Sequence, residues 1–386
     1  MSAEEWVSGT WGDLVAFRKQ VRTAEGQLLT VATKGAGTRP AEARPESRTP
    51  THLIKSDELI YLRQGAAAGV IAVSDHEGLV SVNFPVGTLS GRVSPDFIRL
   101  LLRSPEVQAV FRGVSAGTAQ PFLSERDFVN VPVRYPSSSD VQRRIVDLLT
   151  SADAVIDSLA GEVMAARNLR YQLLHGLLAN SQTPESASAS SETEWVSGTW
   201  GDLVSFRKQV KTAEGNLLTV GTKGAGTRFA ESRPESRTPT HLIRRGELVY
   251  LRQGAAAGAI AVSDHDGLVS VNFPVGTLNS RVCPGYVRLL LQSSEVQAAF
   301  RHASVGTAQP FLSEKDFANV PVRYPRSVGD QQHIADLLSA VDQAVSSRTE
   351  RLEAARTVRD QLLHDLLSGT HTIPESYDRF VAEAAS

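Results

Sequence analysis

Cysteine is almost absent from this sequence: Cys283 is the single one in 386 residues. One thiol cannot close an internal disulfide, and no Cys/His cluster stands ready for zinc, so a reducing, cytoplasmic compartment without structural zinc is expected. Long apolar runs are missing too. No stretch approaches the roughly 18 consecutive apolar residues of a membrane span. The start, Met1-Ser-Ala-Glu-Glu-Trp6, has neither the basic residues nor the apolar run of a secretory signal, so a soluble chain with no membrane partner is expected. An excess of positive charge is also lacking: 40 Lys+Arg stand against 42 Asp+Glu, a formal net of -2. Taken as a total, that argues against a phosphate-backbone partner. No Gly-x-Gly-x-x-Gly or P-loop sequence is found, so no nucleotide cradle is indicated.

What the sequence does contain is itself, twice. Glu5-Trp-Val-Ser-Gly-Thr-Trp-Gly-Asp-Leu14 recurs letter for letter from Glu194 to Leu203, an offset of 189. Residues 5–139 and 194–328 differ at 28 of 135 positions, leaving 107 identical. A repeat of this length is too long for a solenoid unit and long enough for a domain with an accessory element.

Each copy has two unlike halves. In the first, short β-branched runs broken by Gly and Pro read as strands: Leu28 to Val31, Leu59 to Leu62, Val70 to Val73, Leu79 to Val82 and Val129 to Tyr135. Pro95 to Val114 instead has the 3.6-residue period of short helices, through Phe97, Ile98, Leu101, Leu102, Val107, Val110 and Phe111. The first half is therefore expected to be α+β. From Ile145 the apolar residues fall at 145, 148, 149, 152, 155, 156, 159, 163, 166, 169, 173, 174 and 177, the stripe of one long helix. The copy repeats it from Ile334 to Leu366. Two such helices are expected to pack as an antiparallel coiled coil, each a rod of roughly 54 Å at ~1.5 Å per residue. Asn180 to Thr193, rich in Ser, Ala and Pro, reads as a linker, and the tail from Ser368 is expected to be loosely ordered.

The charge total hides its distribution. Residues 5–139 hold 15 Lys+Arg and 13 Asp+Glu, net +2, and residues 194–328 hold 16 and 11, net +5. The helices run the other way: 4 minus 5 gives -1 for 140–180, and 4 minus 7 gives -3 for 329–369. Basic heads on acidic stems suit a DNA-contacting head with a protein-contacting stem. Within the heads, Gly-rich Thr33 to Arg39 and then Arg44 to Arg48 place Lys34, Arg39, Arg44 and Arg48 where backbone can approach a partner closely and cations can neutralise phosphates. Lys223, Arg228, Arg233 and Arg237 repeat them. Arg63 and Gln64, repeated as Arg252 and Gln253, have the chemistry of base readers, Arg for guanine and Gln for adenine.

Catalytic constellations are not found. Ser74-Asp75-His76 has the residue types of a hydrolytic triad, but adjacent side chains point apart. Asp96 corresponds to Gly285, which disfavours a carboxylate essential to a duplicated active site. Asn83-Phe-Pro-Val86 is only loosely similar to the Asn-Pro-Pro-aromatic loop of adenine methyltransferases and lacks a cofactor loop upstream. His52, His241, His175 and His364 stand singly in apolar sequence and read as structural. The chain is expected to bind no metal or cofactor and not to be an enzyme by itself.

The order of these parts resembles the specificity subunit of type I restriction-modification enzymes. The resemblance rests on a duplicated α+β head and on Val131-Pro-Val-Arg-Tyr-Pro136 followed by Gln142-x-x-Ile145-x-x-Leu148-Leu149-x-x-x-Asp153. In the copy these are Val320 to Pro325, Gln331, Ile334, Leu337, Leu338 and Asp342. Leu59 to Gly69 and Gly117 to Ser124 are similar to that family's target recognition domains. The family's proline-rich junction is here Tyr135-Pro-Ser-Ser-Ser-Asp-Val-Gln142. The resemblance implies target recognition domains at 5–136 and 194–325, long helices at 137–180 and 326–369, a linker at 181–193 and a tail at 370–386. It implies double-stranded DNA as a partner, two methyltransferase subunits and restriction/translocase subunits, with S-adenosylmethionine, ATP and Mg2+ belonging to those subunits. It further implies a place in DNA modification and phage defence. Because the candidate contact stretches are the same in both copies, the expected target is a split palindrome with equivalent half-sites. The competing reading is a duplicated protein-interaction scaffold with a coiled-coil stem.

Overall fold

The computed structural model describes residues 6–23, 26–33, 37–41, 51–114, 122–179, 193–212, 215–230, 240–304, 310–374 and 376–378. Two compact units emerge, and they are not the two copies of the sequence. One comprises 1–160 together with 350–386, and the other 161–349. Each unit therefore holds one head, the first part of the helix that follows it, and the last part of the other copy's helix.

In the first unit the strands are β1 (Trp6–Thr10), β2 (Val15–Phe17), β3 (Leu29–Val31), β4 (Thr38–Pro40), β5 (Thr51–Ile54), β6 (Leu59–Tyr61), β7 (Ile71–Val73), β8 (Gly78–Ser81), β9 (Val86–Leu89) and β10 (Pro132–Pro136). The helices are α1 (Pro95–Arg103), α2 (Pro105–Val114), α3 (Glu125–Val129) and the start of α4 (Ser139–Ala179). The main sheet is antiparallel in the order β2-β9-β6-β7, beside the pairs β5-β8, β3-β4 and β1-β10. The helix starts are written locally. Ser94, just before Pro95, accepts from the Phe97 N–H at 3.2 Å, and Ser124 caps α3 through the Asp127 N–H at 3.1 Å.

Part of the head's aromatic content is gathered in one place. Trp11, Phe17, Tyr61, Phe111 and Phe128 form a continuous cluster, with Tyr61 stacked on Phe128 at 4.6 Å between ring centroids. The same core includes Ile145 and Leu149 of α4 and, from the end of the second long helix, Leu363 and Leu366. Ile54, Ile60, Ala72, Val80 and Val86 form a smaller core on the sheet's other face.

The second unit repeats the design with β11 (Trp195–Thr199), β12 (Val204–Phe206), β13 (Leu218–Val220), β14 (Thr227–Phe229), β15 (Thr240–Ile243), β16 (Leu248–Tyr250), β17 (Ile260–Val262), β18 (Gly267–Ser270), β19 (Val275–Leu278) and β20 (Pro321–Pro325). Its helices are α5 (Trp200–Leu203), α6 (Pro284–Leu290), α7 (Ser294–Ala303), α8 (Glu314–Asn319) and the start of α9 (Val328–Ser368). Cys283 takes the place of the capping Ser94 and gives no side-chain cap, and α6 has 7 residues where α1 has 9. Leu174 and Leu178 of α4 join this head's core beside Ile334 and Leu338 of α9.

The motif glutamine at the start of each long helix has a physical role. Gln142 is 1% exposed; its Oε1 accepts from the Ser94 N–H at 3.0 Å while its Nε2 donates to the carbonyls of Arg92 at 3.1 Å and Pro136 at 2.9 Å. Gln331 makes the same three bonds to Cys283, Arg281 and Pro325. One buried amide thus ties the helix start to both the last strand and the first helix of its head.

Within each unit the two helices run antiparallel. In the second, Glu162 faces Arg348 and Arg170 pairs with Asp342. In the first, Arg359 Nε donates to Asp153 at 2.8 Å, which is the same residue pair in the duplicate. The apolar stripe is only partly a seam: Val163 is 3% exposed and Leu159 9%, but Val155 and Leu169 are 56% and 50% exposed. The expected loose tail is also corrected at its beginning. Ile373 is buried and Tyr377 packs on the first unit's core, while Asp378 pairs with Arg143 and Arg144. Among the described residues no helix is long and apolar enough to cross a membrane.

Candidate nucleic-acid interface

Each head carries two constructions that present polar side chains to solvent. The first is the β3–β4 hairpin with Arg39 on its outer face. Gly37, at φ 83°, lets the chain turn against Asp75, where a Cβ would overlap the carboxylate. The Thr38 N–H donates to Asp75 Oδ2 at 3.1 Å, and the Thr38 hydroxyl meets Ser74 Oγ at 2.9 Å. Arg99 of α1 holds Asp75 at 3.3 Å and also Asp57 at 2.9 Å and Asp96 at 2.6 Å. Ser74-Asp75-His76 is therefore a brace for the hairpin: Ser74 Oγ donates to the His76 carbonyl at 2.7 Å.

The second head repeats the brace through Thr227, Ser263 and Asp264, with Arg228 exposed like Arg39. Here Arg288 meets Asp264 at 2.6 Å, while Gly246 and Gly285 replace Asp57 and Asp96. Gly246, at φ 85°, also removes the strain of Asp57, a non-glycine residue at φ 62°. Lys223 is exposed in a turn at φ 51°, its N–H donating to the Gly258 carbonyl at 2.6 Å. Lys34, Arg44, Arg48, Arg233 and Arg237 lie outside the described residues.

The second construction joins three loops. Arg63 is turned inward: its Nη2 donates to Glu125 at 2.6 Å and its Nη1 to the Val82 carbonyl at 3.5 Å. Its own carbonyl accepts from the Leu123 N–H at 2.9 Å, and Gln20 also donates to the Val82 carbonyl at 2.8 Å. Loops 62–65, 81–84 and 122–125 are thereby fixed together. Around a depression of about 230 Å³ they present Gln64, Asn83 and Phe122. Arg252, Glu314, Gln253, Asn272 and Phe311 repeat the arrangement, with Arg252 to Glu314 at 2.6 Å and to the Val271 carbonyl at 3.5 Å. The partner of Arg63 stands 62 residues away, and the sequence carries no mark of that pairing. Nor does it mark Asn83 and Phe122 as neighbours of Gln64.

Next to the 81–84 loop, through His52 Nδ1 at 3.4 Å from the Phe84 carbonyl, lies a part-buried polar cluster. Arg18 donates to both oxygens of Glu58 at 2.6 and 2.7 Å and to the Leu53 carbonyl at 2.8 Å, beside His52. Burial pushes the Glu58 carboxyl up, but bonds from Arg18 and the Lys55 N–H, with their charges, outweigh it and hold Glu58 below the usual range. Burial keeps His52 neutral, below its ordinary value. The histidines His175 and His364 differ from expectation: they face Glu295 and Glu106, acidic residues of the heads, at 4.0 and 2.5 Å. Among the described residues no group of three His, Cys, Asp or Glu side chains is placed to hold a metal.

No family model and no curated protein matches the sequence. Solved structures do match its fold. A type I restriction-modification system S subunit from M. genitalium is 15% identical with a TM-score of 0.53, covering 95% of this chain and 97% of that one. A structure described as showing complex assembly and conformational transition of the type I R-M system gives 15% identity and a TM-score of 0.61 over 94% and 97%. The HsdS subunit from Thermoanaerobacter tengcongensis gives 16% and 0.54 over 94% and 96%. The chain has the fold of these S subunits along nearly its whole length.

Proposed function

We propose that this chain is a non-catalytic DNA-recognition subunit whose two heads read a bipartite duplex target and whose long helices dock methyltransferase subunits. The observation that carries the reading is the near-complete fold match to S subunits of type I systems. The duplicated, exposed Arg39 and Arg228 hairpins, each braced from behind, supply contacts of the right chemistry to position a duplex by its phosphates. Arg63 and Arg252 act in this reading as supports for Gln64 and Gln253, since their guanidinium groups are engaged by carboxylates. Val155, Met164, Leu169 and Tyr171, exposed on α4, supply apolar surface for a protein partner. Catalysis, with S-adenosylmethionine, ATP and Mg2+, resides in those partner subunits. Heads built alike read alike, so the two half-sites are equivalent and the target is a split palindrome.

A salt titration of duplex binding, with the methyltransferase subunits present, tests the reading. Affinity falls steeply as salt rises, and Arg39→Ala with Arg228→Ala reduces the slope by about 1 per removed phosphate contact. Absence of duplex binding even with the methyltransferase subunits present would favour the protein-interaction scaffold.

A further inference from the structure

We infer that Gln64, Asn83 and Phe122 form a reader of an A·T base pair in the half-site of the first head, and that Gln253, Asn272 and Phe311 do the same in the second. The inference rests on the DNA-recognition reading above. Phe122 and Phe311 are 53% and 45% exposed, although the residue after each is tied down, the Leu123 N–H on the Arg63 carbonyl at 2.9 Å and the Leu312 N–H on the Arg252 carbonyl at 3.0 Å. Beside each phenyl stand two exposed side-chain amides, and among the described residues none of those amides has a hydrogen-bond partner.

The three groups are presented on a rigid footing. Arg63 and Glu125, at 2.6 Å, clamp the 62–65 loop to the 122–125 loop, while the Val82 carbonyl receives Arg63 and Gln20. Asn83 is fixed by its own N–H on Ser81 Oγ at 3.4 Å and by the next N–H, of Phe84, on the Ser81 carbonyl at 3.0 Å. A side-chain amide carries a donor and an acceptor side by side, which matches N7 and N6 of adenine in the major groove. An exposed ring beside it suits the 5-methyl group of thymine. Guanine would be read by an arginine, and the arginine of this platform is held by Glu125. The platform is therefore an adenine–thymine reader with Arg63 as a positioning residue.

The test is single-molecule sequencing of base modification in the native host carrying the wild-type chain, a deletion, Q64A with N83A, or Q64E. The wild type is expected to modify a motif with at least one A·T pair in each half. In the double variant, discrimination at that pair falls roughly 10- to 100-fold in one half-site only. Q64E, which presents only acceptors, shifts the preference there from adenine towards cytosine, an outcome that impaired folding does not produce. Arg63→Ala lowers the extent of modification without changing which base is preferred. A wild-type motif lacking A·T in either half, or variants that keep full discrimination, overturns the assignment while leaving DNA recognition intact. A deletion that removes no motif overturns the recognition reading itself.

Discussion

Gln142→Ala tests how head and helix are joined. The substitution removes three hydrogen bonds from a site 1% exposed, and leaves the Ser94 N–H and the Arg92 and Pro136 carbonyls without their partner. At a net of ~1 kcal/mol per bond the loss is ~3 kcal/mol, rising towards ~5 kcal/mol as the stranded groups stay dry. For a unit of this size, ~3 kcal/mol corresponds to a fall in melting temperature of roughly 6–12 °C. Differential scanning calorimetry of the full chain should show the transition of the first unit displaced by Q142A and that of the second by Q331A. Gln142→Leu restores the volume and should recover little, because the loss is polar. Gln142→Glu keeps the acceptor for Ser94 but turns an oxygen towards two carbonyls, so it too should destabilise. A shift below about 2 °C for Q142A, equivalent to less than ~1 kcal/mol, would refute the idea that this amide fastens the helix to its head.

Acid should loosen the heads in two stages. The buried His52 and His241 stay neutral when folded, whereas the unfolded residues gain protons near pH 6.5, so stability falls as pH drops through about 6.5. Glu58 and Glu247 titrate below the usual range; their stabilisation is present above about pH 4.3 and is lost as pH falls through the lower folded values. Urea midpoints measured from pH 7.5 downwards would show both, and a flat profile would contradict the cluster. Gly37→Ala combines a left-handed backbone with a clash against Asp75, and is expected to cost ~2–3 kcal/mol by equilibrium unfolding. A double-mutant cycle on Asp153 and Arg359 should give a coupling of ~1 kcal/mol, repeated for Asp342 and Arg170; zero coupling would deny that these pairs join the helices.

Local signals were readable and distant pairings were not. The strands around Leu59, Ile71 and Leu79 and the short helices within Pro95 to Val114 follow from period and turn chemistry, as do the long helices. The Gln142 motif was visible as letters, but its three buried bonds come from segments up to 50 residues away. Arg63 was legible as a base-reading residue type, yet Glu125 engages it, a contact that local pattern cannot encode. Likewise, the duplicated sequence marks where each copy begins and ends but not which head the end of each helix buries against. The compact units exchange helix ends, because Leu363 and Leu366 bury against the first head and Leu174 and Leu178 against the second.

The central claim is that two equivalent heads choose a DNA sequence for partner enzymes. Its most direct test is the genome-wide modification motif of the native host, compared with a strain lacking this chain. The account predicts a split motif with two inverted, equivalent half-sites that vanishes on deletion. A modification pattern unchanged by the deletion, or a lost motif whose halves differ, would contradict it.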